Sequence, residues 1–378
     1  MRLTDAQTGW RDRARQFASE QIAPLADQID QQQITPASVL VAMRENGYLG
    51  AALPARWGGG GIDPVSYGLV TEEIGKACSS VRSLMTVHNM AAQALVALGD
   101  RDQHQRWLPE LCAGKKIIAF ALSEPNAGSA AHAIETQAVK LSDGYLVSGT
   151  KKWITFGQIA DLFLVFAHYE RKPVALVVDR HSDGLTVTPA KDIFGTRGSM
   201  LAEVRLDNVH VPRSHQVGPT GMGISFVANW ALDHGRFSVA WGSTGIMQGC
   251  LDACVSYTQQ RRQGDHRLKD HQLVRRHLTD MLVAHTAAQA VCYRSACLRE
   301  VGDPRAVMET AMAKYHAAGA AIRVATDAVH LHGANGCTTD YPVARYLRDA
   351  TVAGIIEGTH EIHQVTLADY AFQRPYLR

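Results

Sequence analysis

Asp161-Leu162-Phe163-Leu164-Val165-Phe166 and Val174-Ala175-Leu176-Val177-Val178 are the two stretches that decide the fold of this chain. Both are short and rich in β-branched and aromatic residues, so they predict strands. Similar segments and Asp-Gly turns surround them, at Tyr145-Leu146-Val147, Leu185-Thr186-Val187-Thr188, Asp143-Gly144 and Asp183-Gly184. Because so many strands occur between residues 116 and 223 without an intervening helical pattern, this region is expected to form a small antiparallel β-barrel or sandwich.

Helical periodicity flanks the strand region on both sides. In residues 1–115 the apolar residues recur at three- and four-residue steps, and they do so again from Val274 to Ser295. The second pattern is typical of a long helix in a bundle. We therefore predict an α+β multidomain protein with an N-terminal α-helical domain (1–115), a middle β-domain (116–223) and a C-terminal four-helix bundle (224–378).

The composition excludes several functional classes. The 378 residues are 46% hydrophobic and 20% charged, as in an ordinary globular protein, and the net charge of +2 does not favour nucleic-acid binding. The seven cysteines form no C-x-x-C pair, which indicates reduced thiols. No signal peptide and no run of roughly 18 apolar residues is present. We expect a cytoplasmic protein that binds neither nucleic acid nor a membrane.

Glu357 is the residue with the clearest chemical signal. It lies in the apolar run Gly354-Ile355-Ile356-Glu357-Gly358-Thr359. Desolvation by apolar neighbours raises the pKa of a carboxyl group, which suits a base that must remove a weakly acidic proton. The sequence therefore makes Glu357 a candidate general base.

Two segments at the edges of the β-region could contact a flat, polar cofactor. Residues 120–129 offer backbone N–H groups and the hydroxyls of Ser123 and Ser129, although a turn that links helix to sheet has the same composition. Trp153 with Thr155 offers an apolar wall beside a hydrogen-bond donor, although a core tryptophan is the alternative. The residue types alone leave both interpretations open.

The remaining motifs argue against several enzyme classes. Arg261 could bind a phosphate or belong to a solvated charge cluster. His360 and His363 are three residues apart, whereas the zinc motif H-E-x-x-H needs four, so no metal site is expected. Residues 218–223 lack the third glycine and the preceding strand of a dinucleotide fingerprint, and no G-x-S-x-G elbow occurs. A Rossmann dehydrogenase and a serine hydrolase are thus disfavoured.

Seven blocks, taken in order, resemble the acyl-CoA dehydrogenase family over nearly the whole chain. They are Ala121-Leu122-Ser123-Glu124-Pro125-Asn126-Ala127-Gly128-Ser129, Gly149-Thr150-Lys151-Lys152-Trp153-Ile154-Thr155, Arg197-Gly198-Ser199, His332-Gly333-Ala334-Asn335-Gly336, Tyr341-Pro342-Val343, Leu347-Arg348-Asp349-Ala350 and Ile356-Glu357-Gly358-Thr359. Several blocks in register are highly specific, and the family's order of a helical domain, a β-domain and a helical bundle matches the periodicity.

The resemblance implies FAD bound between the β-domain and the C-terminal bundle. The implied contacts to the isoalloxazine are Phe120, Leu122, Ser123, Gly128, Ser129, Trp153, Ile154 and Thr155. Thr359 and Glu361 would lie near the flavin and its ribityl chain. The pyrophosphate and adenine of a neighbouring subunit's FAD would be reached by Arg261, Gln272, His330, Gly333 and Ala334. A homodimer or homotetramer follows from this arrangement.

The resemblance also implies the reaction. Glu357 would remove the α-proton of an acyl thioester while a hydride passes from the β-carbon to the flavin. The residues implied on the substrate side are Ser129, Asp233, Arg236, Trp241 and Gly358. Electrons would leave to an electron-transferring flavoprotein or to oxygen.

A finer resemblance concerns the substrate. Cys78-Ser79-Ser80-Val81-Arg82-Ser83-Leu84-Met85-Thr86 and Ser238-Val239-Ala240-Trp241-Gly242 look like the branch that makes polyketide extender units. Members of that branch oxidise glyceryl or seryl groups on an acyl carrier protein, toward hydroxymalonyl or aminomalonyl units. Trp241 could shorten the pocket to a three-carbon acyl group, or it could be bundle core.

Three alternative functions remain open on the sequence. The chain could be a catabolic dehydrogenase of short acyl-CoA thioesters. It could be a flavin oxidase or monooxygenase, although such relatives often replace the glutamate that is intact here as Glu357. It could also be a non-catalytic flavin-binding homologue, against which Glu357, Trp153 and Arg236 argue.

Overall fold

The computed structural model describes residues 2–373 and begins with a helical part. Its helices are α1 (Asp5–Phe17), α2 (Ala26–Gln32), α3 (Ala37–Glu45), α4 (Pro64–Ala77), α5 (Ser79–Leu98) and α6 (Arg101–Cys112). Local sequence explains where several of them begin. Thr4 and Asp100 each form a capping box with a glutamine three residues later, and Asp63 caps α4, whose first residue is Pro64.

A mixed sheet follows the helices and forms the middle of the chain. Its strands are β1 (Ile118–Ala121), β2 (Gln137–Lys140), β3 (Gly144–Ile154), β4 (Leu162–Tyr169), β5 (Lys172–Asp179), β6 (Leu185–Pro189), β7 (Ala202–Pro212) and β8 (Gln216–Val217). The strand order is β6-β7-β3-β2-β4-β5-β8, and β1 pairs in parallel with β4. The prediction of an antiparallel barrel is therefore wrong: β2 and β4 are also parallel, and the end strands β6 and β8 do not pair.

Strand β4 is apolar throughout because it is covered on both faces. Leu164 and Phe166 pack into a cluster with α5 and α6, whereas Phe163 and Val165 face a second cluster formed with β3 and β7. A strand buried on both sides needs no polar alternation, which explains its continuous hydrophobic run. This burial places the sheet directly against the N-terminal helices.

The C-terminal part is helical, as predicted. Its helices are α7 (Asn229–Gln260), α8 (Gln272–Glu300), α9 (Ala306–His332), α10 (Val343–Ile355) and α11 (His360–Gln373), with a two-stranded hairpin, β9 (Arg262–Gln263) and β10 (His266–Arg267), between α7 and α8. Alanines of α9 such as Ala317, Ala321 and Ala325 are buried in the largest core cluster, which permits close helix packing. In residues 2–373, no helix combines the length and the apolar character needed to span a bilayer.

A loop from the sheet connects the two helical parts. The Gly198 amide donates to the Ser80 hydroxyl at 3.1 Å, and the hydroxyls of Ser83 and Ser199 are 2.8 Å apart, which joins the loop to α5. The Thr196 amide donates to the Asp349 carboxylate of α10 at 2.6 Å. Because α10 leads directly to Glu357, this loop helps to position the candidate base.

Candidate active site

Glu357 lies in a left-handed turn just after α10. Its φ is +57° and that of Gly358 is +100°. A left-handed glutamate is uncommon and needs support from its surroundings. The turn brings the carboxylate against α7, where a Cβ on Gly235 would lie 2.5 Å from Glu357 Oε2. Glycine at position 235 therefore makes room for the carboxylate.

Burial controls the acidity of Glu357. Its Oε2 atom is buried and has no hydrogen-bond partner among the described residues. Burial raises the pKa of Glu357 to about 7, although the charges of Arg236, Lys314 and Arg82 act in the opposite direction. The adjacent Ile355 does not bury the carboxylate, because it is 60% exposed. Desolvation comes instead from the helices packed around the turn.

Two cations hold the backbone of this turn. Arg236 of α7 donates from Nε to the Glu357 carbonyl oxygen at 3.1 Å. Lys314 of α9 donates from Nζ to the Gly358 carbonyl oxygen at 2.6 Å. Two successive carbonyl groups thus accept hydrogen bonds from two different helices. These bonds offset the strain of the left-handed turn.

A line of polar groups extends from Glu357 along one face of α7. Ser238 follows Gly235 by three residues, about 4.5 Å along the helix axis, and its hydroxyl is 2.6 Å from that of Thr86. Thr86 accepts a hydrogen bond from Arg82 Nη1 at 2.9 Å. A Cβ on Gly242, two turns after Gly235, would lie 2.8 Å from Arg82 Nε, so the guanidinium also packs against this face.

Several polar atoms of this cluster have no hydrogen-bond partner within residues 2–373. They are Arg82 Nε, Asn89 Oδ1 and Glu357 Oε2. All three are buried. Buried polar groups in native proteins are normally paired, so a cluster of unpaired ones needs a partner from outside the chain. The arrangement therefore fits a site for a small polar ligand next to Glu357.

The other residues implied on the substrate side lie nearby in α7, except Ser129. Asp233 forms an ion pair with Arg299 at 2.7 Å, and Arg299 stacks over the ring of Phe237 at 5.1 Å. Trp241 is fully buried and packs so closely on α4 that a Cβ on Gly68 would lie 2.3 Å from its ring. Trp241 thus forms part of the core between α4 and α7.

The loop at residues 122–136 is tied to β3 by a buried ion pair. Lys151 Nζ lies 2.6 Å from Glu124 Oε1, and their side chains are 0% and 2% exposed. Glu124 also accepts hydrogen bonds from the Glu135 amide and from the Thr136 amide and hydroxyl. The Lys152 amide donates to the Ser123 carbonyl at 2.9 Å. These contacts fix the loop beside the end of β3.

Beyond this pair, the same segments offer a flat apolar surface and free backbone. Trp153 is left-handed, with φ +62°, and is 53% exposed, whereas Ile154 beside it is buried. Gly128 and Ser129 are exposed, and a Cβ on Gly128 would meet nothing within 4 Å. Phe120 and Leu122 instead pack into the core, with the Phe120 ring 5.0 Å from that of Phe166.

FAD, implied by the resemblance, suits these residues. An exposed indole that backbone strain holds outward can pack against a flat ring system, and the exposed residues Asn126, Gly128 and Ser129 supply N–H donors. His363 Nε2 is buried near the turn and has no partner among residues 2–373, while its Nδ1 bonds the Thr359 carbonyl. Thr359 is half-buried and Glu361 is exposed at the start of α11, next to the same turn.

Five of the predicted cofactor contacts lie far from Glu357. Arg261, Gln272, His330, Gly333 and Ala334 are all exposed and occur where α7 ends, α8 begins and α9 ends. Arg261 follows Gly235 by 26 residues, about 39 Å along α7. Within one chain they therefore cannot belong to the site of Glu357. Of the five, Arg261 lines a cavity of about 400 Å³, together with Ala253, Ser256, Tyr257, Gln260, His332, Asn335, Tyr341 and Pro342.

Three residues of the site, Arg82, Lys314 and Gly235, were not predicted from the sequence. The sequence does carry a signal for Arg82. Helix α5 has twenty residues, and Arg82 is the one Lys, Arg, Asp or Glu among them, so it has no acidic partner in its own helix. Gly235 and Lys314 have no such signal. Their roles depend on which helix packs against the turn at Glu357.

Comparison with known proteins places these features in a family. The N-terminal, middle and C-terminal domain models of acyl-CoA dehydrogenases match residues 4–115, 119–209 and 221–371. A short-chain-specific acyl-CoA dehydrogenase of Clostridium acetobutylicum is 33% identical over 377 residues, which cover 98% of this chain and 99% of that protein.

Two solved structures extend this result to the fold. Butyryl-CoA dehydrogenase from Megasphaera elsdenii superimposes with a TM-score of 0.94 at 32% identity and covers 99% of this chain and 100% of its own. FkbI, described for biosynthesis of the methoxymalonyl extender unit of the FK520 polyketide, gives 0.89 at 32% identity, with 96% and 99% covered. The chain belongs to the acyl-CoA dehydrogenase family, whose members are FAD-dependent oxidoreductases acting on CH–CH bonds.

Proposed function

We propose that this enzyme oxidises the α,β-bond of a small acyl thioester whose β-carbon bears a polar group. The candidates are seryl- and glyceryl-acyl carrier protein, which would give the aminomalonyl and hydroxymalonyl semialdehydes for extender-unit biosynthesis. FkbI, which is similar over nearly the whole chain, is named for such a pathway. Loss of the α- and β-hydrogens from a 3-hydroxyacyl thioester leaves an enol, which tautomerises to the aldehyde.

The unpaired polar cluster carries this proposal. The Arg82 guanidinium binds Thr86, and the Thr86 hydroxyl contacts that of Ser238 in α7. Ser238 lies about one helical turn after Gly235, the residue against which the Glu357 carboxylate packs. A simple alkyl chain would leave Arg82 Nε unpaired in a buried site. The β-hydroxyl that seryl and glyceryl groups share would give Arg82 Nε a partner, and hydrogen bonds to a charged group are the stronger kind.

Residues of the chain would then divide the reaction between them. Glu357 removes the α-proton, and Arg236 and Lys314 hold its turn in place while it does so. Arg82 orients the polar end of the acyl group, and α7 closes the site against water. When bound beside Trp153, FAD supplies the hydride acceptor that the oxidation requires.

A panel of thioesters tests the proposal. Purified holoenzyme is mixed with seryl- and glyceryl-carrier protein, butyryl-CoA and glutaryl-CoA, while flavin bleaching and the mass of each thioester are followed. We expect bleaching and a loss of two hydrogens with the carrier-protein substrates. Turnover of butyryl-CoA with none of the carrier-protein substrates would refute the proposal and identify a short-chain acyl-CoA dehydrogenase.

One observation favours a second candidate substrate. A buried guanidinium with an unpaired Nε is also suited to a carboxylate, so a dicarboxylic acyl thioester would satisfy Arg82 as well. The glutaryl-CoA arm of the panel distinguishes this case, because glutaryl-CoA carries the carboxylate but no β-hydroxyl or amine.

Replacement of Arg82 gives a sharper test of substrate recognition. Arg82→Met keeps much of the side-chain volume but removes the donors, and kcat/KM for the polar thioester should fall about 10- to 100-fold. Turnover of butyryl-CoA should fall far less. Rates are measured at about pH 8.5, well above the pKa of Glu357, so that loss of the Arg82 charge does not act through the base. An equal loss for both substrates would contradict the role in recognition.

The pH dependence should report the burial of Glu357. A base works only when deprotonated, and burial raises the pKa of Glu357 to about 7. The value of kcat/KM should therefore be constant above about pH 7.5 and fall about tenfold for each pH unit below about 6.5. Initial rates across this range measure it, with a return to high pH to show that inactivation is reversible. A profile that stays flat to about pH 5 would contradict the assignment.

The partners follow from the same proposal. Acyl carrier protein would deliver the substrate, and an electron-transferring flavoprotein or oxygen would reoxidise the flavin. Because Arg261 and His330 lie far from Glu357 in one chain, they would contact the FAD of a neighbouring subunit in a homodimer or homotetramer. Equilibrium sedimentation of the holoenzyme tests this, and a monomer that holds FAD tightly would contradict it.

A further inference from the structure

Lys314 is a buried cation that no carboxylate neutralises directly. Its side chain in α9 is fully buried, and its Nζ donates to the Gly358 carbonyl oxygen at 2.6 Å. The other fully buried lysine, Lys151, has Glu124 at 2.6 Å, whereas Lys314 forms no ion pair within residues 2–373. Removing an ammonium from water is strongly unfavourable unless other interactions compensate. An apolar side chain of the same length would avoid that cost, so the charge itself needs an explanation.

Charged and titratable groups of α5, α7 and α11 act on Lys314 or on the turn that it binds. Arg82 of α5 and Arg236 of α7 are the other cations that act on Glu357. From α11, Glu361 acts on Lys314, and Lys314 in turn disfavours protonation of His360 and His363. The carboxylate of Glu357 is the largest favourable charge acting on Lys314.

The geometry lets Lys314 support the base without blocking it. Its ammonium bonds the carbonyl of the residue after Glu357, so the charge stays close while Glu357 Oε2 remains unpaired. A direct ion pair would occupy the carboxylate and hold its pKa too low for a base that acts on a weak carbon acid. Binding to the neighbouring carbonyl avoids both effects.

We infer that Lys314 is a positioning residue for Glu357, which anchors the left-handed turn through the Gly358 carbonyl and supplies the nearby positive charge that the carboxylate needs to ionise. This inference rests on the proposed role of Glu357 as the base. Lys314 touches neither the substrate nor the cofactor in this role and acts only through the turn.

Two variants separate the charge from the anchor. Lys314→Gln removes the charge but can still donate to a carbonyl, and Lys314→Met removes both. In each variant the acid limb of kcat/KM should move upward by about one pH unit, because loss of a nearby cation raises the pKa of Glu357. At high pH, where Glu357 is ionised, kcat of Lys314→Met should be about tenfold lower than that of Lys314→Gln, because methionine no longer anchors the turn.

Arg323→Met is the matched control. Arg323 is an exposed cation on the same helix, nine residues further along, and its loss should leave the acid limb within about 0.2 pH units of the wild type. FAD content and thermal unfolding are measured for all variants. An acid limb that does not move in Lys314→Gln and Lys314→Met would overturn the inference, and so would failure of both variants to bind FAD, since Lys314 would then be purely structural. Activity in Glu357→Gln would instead refute the base itself.

Discussion

Glu357→Gln is expected to bind FAD normally and to lose thioester oxidation by about 10²- to 10⁴-fold, the range found when a positioned general base is removed. The glutamine has nearly the same shape as the glutamate, so it should fit the space above Gly235 and leave the hydrogen bonds to Arg236 and Lys314 intact. It cannot accept the α-proton. Stopped-flow bleaching of the flavin and the mass of the thioester product measure the loss.

Two controls support this interpretation. Glu45→Gln changes an exposed glutamate at the end of α3 and should leave the rate unchanged. Gly235→Ala keeps Glu357 but introduces a Cβ 2.5 Å from the original position of Oε2, so the displaced carboxylate should also slow the reaction. If Glu357→Gln oxidises the thioester at the wild-type rate, another residue is the base.

Lys151→Met is expected to destabilise the protein by about 3 kcal/mol or more and to reduce its FAD content. Breaking a buried pair leaves the other charge without compensation, and here that charge is Glu124 in the loop beside Trp153. Burial lowers the pKa of Lys151 to about 8 and the pKa of Glu124 lies below its usual range, so both groups are charged at neutral pH. Urea unfolding of the holoenzyme and the flavin-to-protein absorbance ratio provide the measurements.

An exposed ion pair provides the comparison. Lys76 and Asp252 are 2.5 Å apart but 35% and 47% exposed, so Lys76→Met should change the free energy of unfolding by less than about 1 kcal/mol. Equal effects of the two substitutions would show that the burial of Lys151 is unimportant. Loss of stability in Lys151→Met with full FAD retention would show that the pair does not position the flavin loop.

The order of the three parts could be predicted because each depends on local patterns. The strand at 161–166 and the helical face from Val274 to Ser295 show their period within a few residues. The barrel was predicted wrongly because strand pairing joins distant segments. The parallel pairing of β1 with β4 brings together residues 118 and 162, and no local pattern specifies that register.

The residues of the candidate site also divide into those that local sequence indicates and those that only the packing of distant segments shows. Glu357, Trp153 and the loop at 120–129 stand out in the sequence, and the resemblance to a family assigned their roles. Arg82 looked like one more arginine in the sequence, but the structure shows that its Nε has no partner in the described part of the chain and that its Nη1 binds Thr86. Helix α5 contains no acidic partner for Arg82, so the surroundings of its side chain depend on how α5 packs against α7. Only the tertiary structure determines that packing.

The sequence by itself determined the family, the cofactor and the candidate base, because short motifs carry that chemistry. Tertiary structure alone decided the raised pKa of this candidate base, Glu357. The apolar neighbour Ile355 turned out to be exposed, and the turn packs against Gly235 of α7, more than a hundred residues away in the chain. The ammonium of Lys314, more than forty residues away, binds the Gly358 carbonyl and acts against the desolvation. The pKa of a carboxyl group depends on the atoms that surround it in space, and the fold, not the adjacent sequence, brings those atoms together.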